Sequence, residues 1–379
     1  NKYKYEFNDS IVYFSIRNIR RIKLKNNTSI KNSQIKFVFK NYDNMNEFID
    51  IPQCISHVTG SARKALSGIV ARSKAMGGFM YKTYTKLFDT LVVPIIDYGS
   101  PVWGNKCPAP LLNIQKHAMR YFLGCSKTMP LAAMTGEMGW VPLNYRLVLN
   151  MLKYYVKIED GNCNANLTLI HKWCKYIAFN KNKKNWYWSC TKLICIYKGT
   201  DMNIALTNEM PSYTQLREAV HKFAFNEWLQ QLHKPPDKTS ESGGKLVLYR
   251  ELQLKPHPSG YITSNISRGR RWVVAACRGG CLPLAIETGR WHVPKLPLSE
   301  RVCQHCDSGE VEDLLHFLLN CSKYKIIRNN LFKFMQSQLT SSNFIALPSN
   351  NKIHAILSPD FNSQSSKFIY KMFKARSLQ

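Results

Sequence analysis

Residues 81–96 read "YKTYTKLFDTLVVPII", with apolar positions at Tyr81, Tyr84, Leu87, Phe88, Leu91, Val92 and Ile95. Steps of three and four residues place these side chains on one stripe of an α-helix, the pattern of a helix with one buried face. Pro94 is expected to kink or end that helix, because it has no N–H and its ring crowds the carbonyl four residues back. "PLLNIQKHAMRYFLG" at 110–124 repeats the rhythm through Leu111, Leu112, Gln115, Ala118, Met119, Phe122 and Leu123. Gly124 stands where a C-terminal stop is expected. "SARKALSGIVARSKAMGG" (61–78) precedes these segments and "VPLNYRLVLNMLKYYVKI" (141–158) follows them. Short connections between four such helices predict a mainly α fold that begins with a small helical bundle.

The rest of the chain divides by composition. Residues 1–56 form a basic segment without a strong motif. Its first forty residues hold ten basic and two acidic side chains, and "IVYFSI" and "IKFVFK" are candidate short strands. The bundle is expected over 57–160. From 161 to 244 comes a basic, aromatic connecting region, closed by the linker "HKPPDKTSESGG" at 233–244. A second helical region with a small zinc knuckle is expected at 245–330. The tail, 331–379, is polar, with one last helical stretch, "SSKFIYKMFKAR". The first 55 residues and the tail are expected to be the least ordered parts.

Charge narrows the class of partner. The 379 residues include 53 Lys and Arg against 24 Asp and Glu, a net charge of +29. A chain that basic is expected against a polyanion, RNA or DNA first of all. The longest clean apolar run, "LVVPII" at 91–96, is far short of the ~20 residues a membrane span takes, so no membrane partner is expected. The start, "NKYKYEFNDS", has neither a methionine nor the apolar core of a signal peptide. It reads as part of a longer chain, or as a degraded gene, whose product is not secreted and works in the nucleus or cytoplasm. Twelve cysteines in such a setting point to free thiols or a metal.

One cluster has metal spacing: Cys303-x2-Cys306-x9-His316-x4-Cys321. A C-x2-C pair makes a tight knuckle that offers two thiolates to one ion, and the second pair must return to complete a tetrahedron. Glu310, Glu312 and Asp313 suit the first turn of a helix carrying His316. On an ideal helix Cys321 lies about 140° around from His316, so the helix is expected to end or tighten before Cys321. Leu314, Leu315, Phe317 and Leu318 would pack against the knuckle. Buried free cysteines beside a helix-end histidine are the plainer alternative, and His305 is a competing ligand. Four protein ligands with no open position favour a structural zinc over a catalytic one. Cys277 and Cys281 have no nearby ligand-type partners and read as inert.

Five blocks, in order, resemble one family. "SARKALSGIVARSKAMGGFMYKTYTKLFDTLVVPIIDYGSPVWG" is similar to the region after the palm of non-LTR (LINE-type) retrotransposon reverse transcriptases. Pro94, Ile95, Tyr98, Gly99, Trp103 and Gly104 match that region's signature. "IQKHAMRYFLG" and "GEMGWVPLNYR" resemble the next two blocks. The span from "KLVLYREL" to "AIETGRW" resembles a later one, and "ERVCQHC…EDLLHFLLNCSKY" resembles the C-terminal Cys-Cys-His-Cys knuckle. The likeness covers about 57–160 and 245–330. It implies thumb, connection and zinc knuckle, acting on template–primer or element RNA. The family's polymerase holds magnesium on an aromatic-x-Asp-Asp turn, and this sequence has no Asp-Asp dipeptide. Magnesium therefore belongs to a polymerase portion not found here, and this chain is expected to be inactive alone. The catalytic part of the parent polymerase is a further expected partner. "SPD" at 358–360 reads as a helix cap. An independent helical zinc protein that binds a protein partner is the alternative function.

Two basic groups are candidates for nucleic-acid contact. Arg268, Arg270, Arg271, Arg278 and Arg290 lie between 265 and 291 with one acid, Glu287. If helical, Arg271 and Arg278 share a face while Val273, Val274 and Ala276 turn inward, and Arg268, Arg270 and Arg271 are expected to be dispensable for folding and for the zinc. Lys181, Lys183 and Lys184 belong to a stretch, 161–200, that holds seven lysines and no acid. Trp173, Tyr176, Phe179, Trp186, Tyr187 and Trp188 are interleaved there, as core or as platforms for bases. Tyr98, Trp103 and Trp140 read as core or turn-packing residues.

Overall fold

A computed structural model describes residues 2–7, 10–15, 23–24, 51–201, 210–234, 245–339 and 343–376. The fold is mainly helical. The short segments before residue 51 pair as antiparallel strands, β1 (Lys2–Phe7), β2 (Ser10–Ser15) and β3 (Lys23–Leu24), in that order. The strand expected at "IKFVFK", most of the N-terminal segment, and most of the 233–244 linker lie outside the described residues.

Helix α1 spans Ile51–Ala75. The stretch 81–97 is helical throughout: α2 (Tyr81–Leu87), a π turn (Phe88–Val92), and α3 (Val93–Asp97). Pro94 does not end the helix, because the chain widens just before it. The Val93 N–H reaches back five residues to the Phe88 carbonyl, and the wide turn absorbs a residue that has no N–H of its own. A short helix, α4 (Ser100–Trp103), follows. Next come α5 (Ala109–Leu123), α6 (Leu131–Met138) and α7 (Leu143–Glu159). Gly124 closes α5 in the left-handed region at φ 74°, a conformation that favours glycine. Buried Gln115 on α5 donates to the Val141 carbonyl at 2.9 Å and accepts from the Leu143 N–H at 3.1 Å. It thus satisfies one of the orphan donors at the start of α7.

The signature residues divide into packed and exposed. Trp103 and Trp140 are buried, but Tyr98 is 64% exposed and packs in no core. Gly104 sits where α4 meets α7: a Cβ there would lie 2.3 Å from the Leu147 carbonyl oxygen and 2.7 Å from that of Ser100. Both obstacles are backbone, so they cannot rotate away. Gly104→Ala is expected to destabilise the fold by about 1–3 kcal/mol or more, as overpacking does; urea denaturation measures it, and an unchanged midpoint would refute the close approach.

Helices α8 (Ala165–Asn180), α9 (Trp186–Lys198) and α10 (Tyr213–His233) follow. Beyond residue 245 come α11 (Val247–Leu252), α12 (Gly260–Thr263), α13 (Arg268–Arg278) and α14 (Ala285–Thr288). The chain ends in α15 (Lys325–Gln338), α16 (Ser349–Leu357) and α17 (Asn362–Arg376). The tail is therefore not a loosely ordered extension. Leu331, Met335, Ile356, Leu357, Ile369 and Met372 are fully buried, because the charged side chains that make it look polar lie on the outer faces of three amphipathic helices.

Packing joins what composition separates. One core runs from Val58 and Leu66 of α1, through Phe88, Leu111 and Met119, to Val273, Phe317 and Met372. The early bundle and the knuckle region are thus two sides of one hydrophobic interior. A second core holds Leu152 and Tyr155 of α7, Cys174 of α8, Cys190 and Ile194 of α9, and Val220 of α10. Helices α7 and α10 serve both: Leu147 and Trp228 face the first core, Leu152 and Val220 the second. Among the described residues, no helix is long and apolar enough to cross a membrane.

Candidate metal centre and basic surfaces

The knuckle begins with a short two-stranded ribbon. Val302 and Val311 form an antiparallel bridge, and Cys303 N–H donates to the Glu310 carbonyl at 2.9 Å. The intervening turn carries Cys306. Asp313 then starts the helical return, its carboxylate accepting from the His316 N–H at 2.7 Å. The helix ends before Cys321, as expected, but by widening rather than tightening. Residues His316–Asn320 form a π turn, and Cys321 N–H bonds to the His316 carbonyl at 2.8 Å. An i→i+5 closure carries Cys321 back over His316, where an ideal α-helix would leave it about 140° away.

Cys303, Cys306, His316 and Cys321 converge, their ligand atoms all within 4.8 Å of one another. Cys303 Sγ and Cys321 Sγ are 3.9 Å apart, and Cys306 Sγ lies 3.4 Å from His316 Nε2. Two thiolates on a tetrahedral ion at ~2.3 Å would be about 3.8 Å apart, so this donor set fits one metal ion of that geometry. His305 is not among the four.

The surroundings hold the ligands in place. Glu310 Oε2 lies 2.7 Å from His316 Nδ1, which leaves Nε2 for the metal. Burial pushes the Cys303 thiol up, and it pushes Cys321 up to about 12. Burial also acts upward on Cys306, but hydrogen bonds from Ser308 and the neighbouring thiols bring it down to about 6. Arg328 donates to the Cys321 carbonyl at 2.6 Å. Glu312, buried, accepts two 2.8 Å bonds from Arg376 of α17 and one of 2.7 Å from Ala285 N–H. Glu310 and Glu312 therefore do not form a helical first turn: one orients a ligand, and the other ties the knuckle to the last helix. Phe317 and Leu318 join the main core. Cys277 and Cys281 are buried free thiols, and burial raises both, Cys281 to about 12.

The arginine group is corrected at two positions. Arg278 is fully buried. It pairs with Glu137 at 2.5 Å and donates to the Leu357 carbonyl at 2.6 Å, Gln253 at 2.6 Å and Ser259 at 3.2 Å. Arg271 is also buried, donates to the Phe122 carbonyl at 3.1 Å, and lies over the Phe122 ring. Neither can reach a phosphate in this fold. The face they share points inward along with Val273 and Val274, so Arg271 is part of the packed interior rather than a free surface charge. Arg270 is half-buried and donates to Ser366 Oγ and the Ser363 carbonyl. Arg290 pairs with Glu287 at 3.5 Å, and exposed Arg268 lies over Tyr121.

The lysine group is different. Lys181, Lys183 and Lys184 are exposed on the turn between α8 and α9. Lys184 and Lys192 both lie over the Trp188 ring, at 5.6 and 5.1 Å. Trp173 and Tyr176 stack at 5.5 Å, with Tyr176 46% exposed. Trp186 instead turns inward and donates to the Pro101 carbonyl. Ser358 caps the end of α16. The residues that sequence reasoning passed over are Glu310 as His316's partner and the Arg328 and Arg376 anchors; only the fold reveals these. Compared with family models, curated proteins and solved structures, the chain matches none of them.

Proposed function

We propose that this chain is the nucleic-acid-binding C-terminal region of a LINE-type retrotransposon RNA-directed DNA polymerase, with a structural zinc on Cys303, Cys306, His316 and Cys321. It grips RNA or single-stranded DNA and has no catalytic centre of its own. The observation that carries this reading is the exposed lysine surface beside Trp188, within a stretch of forty residues that holds no acid. Lysines track phosphates there while the aromatic rings offer faces to bases. The ordered family-like blocks and the closed Cys-Cys-His-Cys donor set support it. Buried Arg271 and Arg278 move the expected track from the arginines to these lysines.

Salt dependence tests the reading. Each phosphate contact on a single strand adds about 0.7 to the slope of log K against log salt. Lys181, Lys183 and Lys184 changed together to alanine are expected to flatten that slope by about 2, with helicity and metal content unchanged. No binding by the unmutated chain at low salt would favour the protein-partner alternative. With primer, template and magnesium the chain alone is expected to add no nucleotide, and robust extension by pure protein would overturn that part.

A further inference from the structure

Of the eight tryptophans, Trp291 is the most open to solvent, with 54% of its surface exposed, and Val293 two residues on is 98% exposed. They stand on a loop that is built rather than loose. Leu296 N–H closes it on the Gly289 carbonyl at 3.1 Å. Buried Arg301 clamps both ends, donating to the Leu296 carbonyl at 2.9 and 2.5 Å and to the Ile286 carbonyl at 3.3 Å. The guanidinium stem lies flat on Gly289, where even a Cβ would come within 2.6 Å of it. Arg301 also begins the knuckle ribbon, its carbonyl accepting from Glu312 N–H at 2.9 Å. A large ring held half in water on a clamped loop offers an open aromatic face, which suits a partner with a flat face. The charge selects the partner. From 288 to 299 the chain carries Arg290, His292 and Lys295 and no acid, and residues 291–295 are all exposed.

We propose that loop 289–297 is a stacking finger for single-stranded nucleic acid, with Trp291 under a base and Lys295 near the adjoining phosphate. This deepens the nucleic-acid reading above and rests on it. The intact chain is titrated against a fluorescein-labelled uridine oligonucleotide. Trp291→Ala is expected to weaken binding about five- to 150-fold, the equivalent of one stacked base at ~1–3 kcal/mol. The salt slope should not change, because stacking releases no counterion. Trp291→Phe should keep most of the affinity, and a 5-iodouridine oligonucleotide should photocrosslink at residue 291. Duplex binding should be unaffected by Trp291→Ala. Unchanged affinity in Trp291→Ala, while the triple lysine variant loses slope, would overturn the finger and leave the wider reading standing. Equal loss on duplex and single strand would overturn the stacking role. No binding by the unmutated chain would remove both.

Discussion

Stripping the metal is expected to unfold residues 299–325 and to loosen α17 with them. Binding free energy at a structural zinc, ~10–16 kcal/mol in small zinc modules, is largely folding free energy, whereas a whole domain is stable by only ~5–15 kcal/mol. Without the ion, three cysteines and a histidine face one another across a single strand bridge and a π turn, and their neighbours orient them without replacing the metal bonds. Glu312 spreads the damage. It bonds to Arg376 and to Ala285, so displacement of the ribbon leaves the Arg376 guanidinium, half-buried, without its carboxylate. Hydrogen exchange should therefore rise over 299–325 and over Asn362–Arg376 in chelator, while α5 and α7 keep their protection. Cys306→Ser should reproduce the pattern. Metal analysis of protein purified without chelator should find one zinc per chain; none would overturn the assignment.

Arg278→Met is expected to cost about 3–5 kcal/mol, the range for breaking a buried ion pair at one partner. The methionine fills much of the space but leaves the Glu137 carboxylate buried and uncompensated. It also removes donors from the Leu357 carbonyl, Gln253 and Ser259. The Tyr261 hydroxyl lies beside Glu137, but it is neutral and cannot cancel the stranded charge. Arg278→Lys should also be damaging, since an ammonium cannot reproduce the fork that spans four acceptors. Glu137→Gln combined with Arg278→Met should recover part of the loss, because the stranded charge is gone. Urea denaturation reads each variant, and a loss below about 1 kcal/mol for Arg278→Met would contradict the burial on which this rests. The pair joins α6 to α13, so the same measurement tests whether the early bundle and the knuckle region share one core.

Several features were legible in the chain itself because they depend on residues close in sequence. A helix closes its hydrogen bonds within four residues, so the stripe from Tyr81 to Phe88 and the stop at Gly124 declare themselves locally, whereas from the π turn onward Leu91 is exposed and Val93 and Ile96 are buried instead. The same holds for the Cys-Cys-His-Cys knuckle: Cys303 and Cys306 are three residues apart, and the helical return is short. Spacing alone named all four converging side chains. What local pattern could not decide was the fate of each charge. Arg278 and Lys184 look alike in a basic sequence, yet one is sealed in the core and the other stands in solvent. The difference is Glu137, 141 residues away, which makes burial of a guanidinium tolerable only once the two helices are packed. The amphipathic tail helices likewise read as polar until the core that receives Ile369 and Met372 exists. The widened turns at Phe88–Val92 and His316–Asn320 were equally hidden. One accommodates a proline within a packed helix and the other brings two ligands together. Both departures from α geometry become favourable only through what tertiary contact holds beside them.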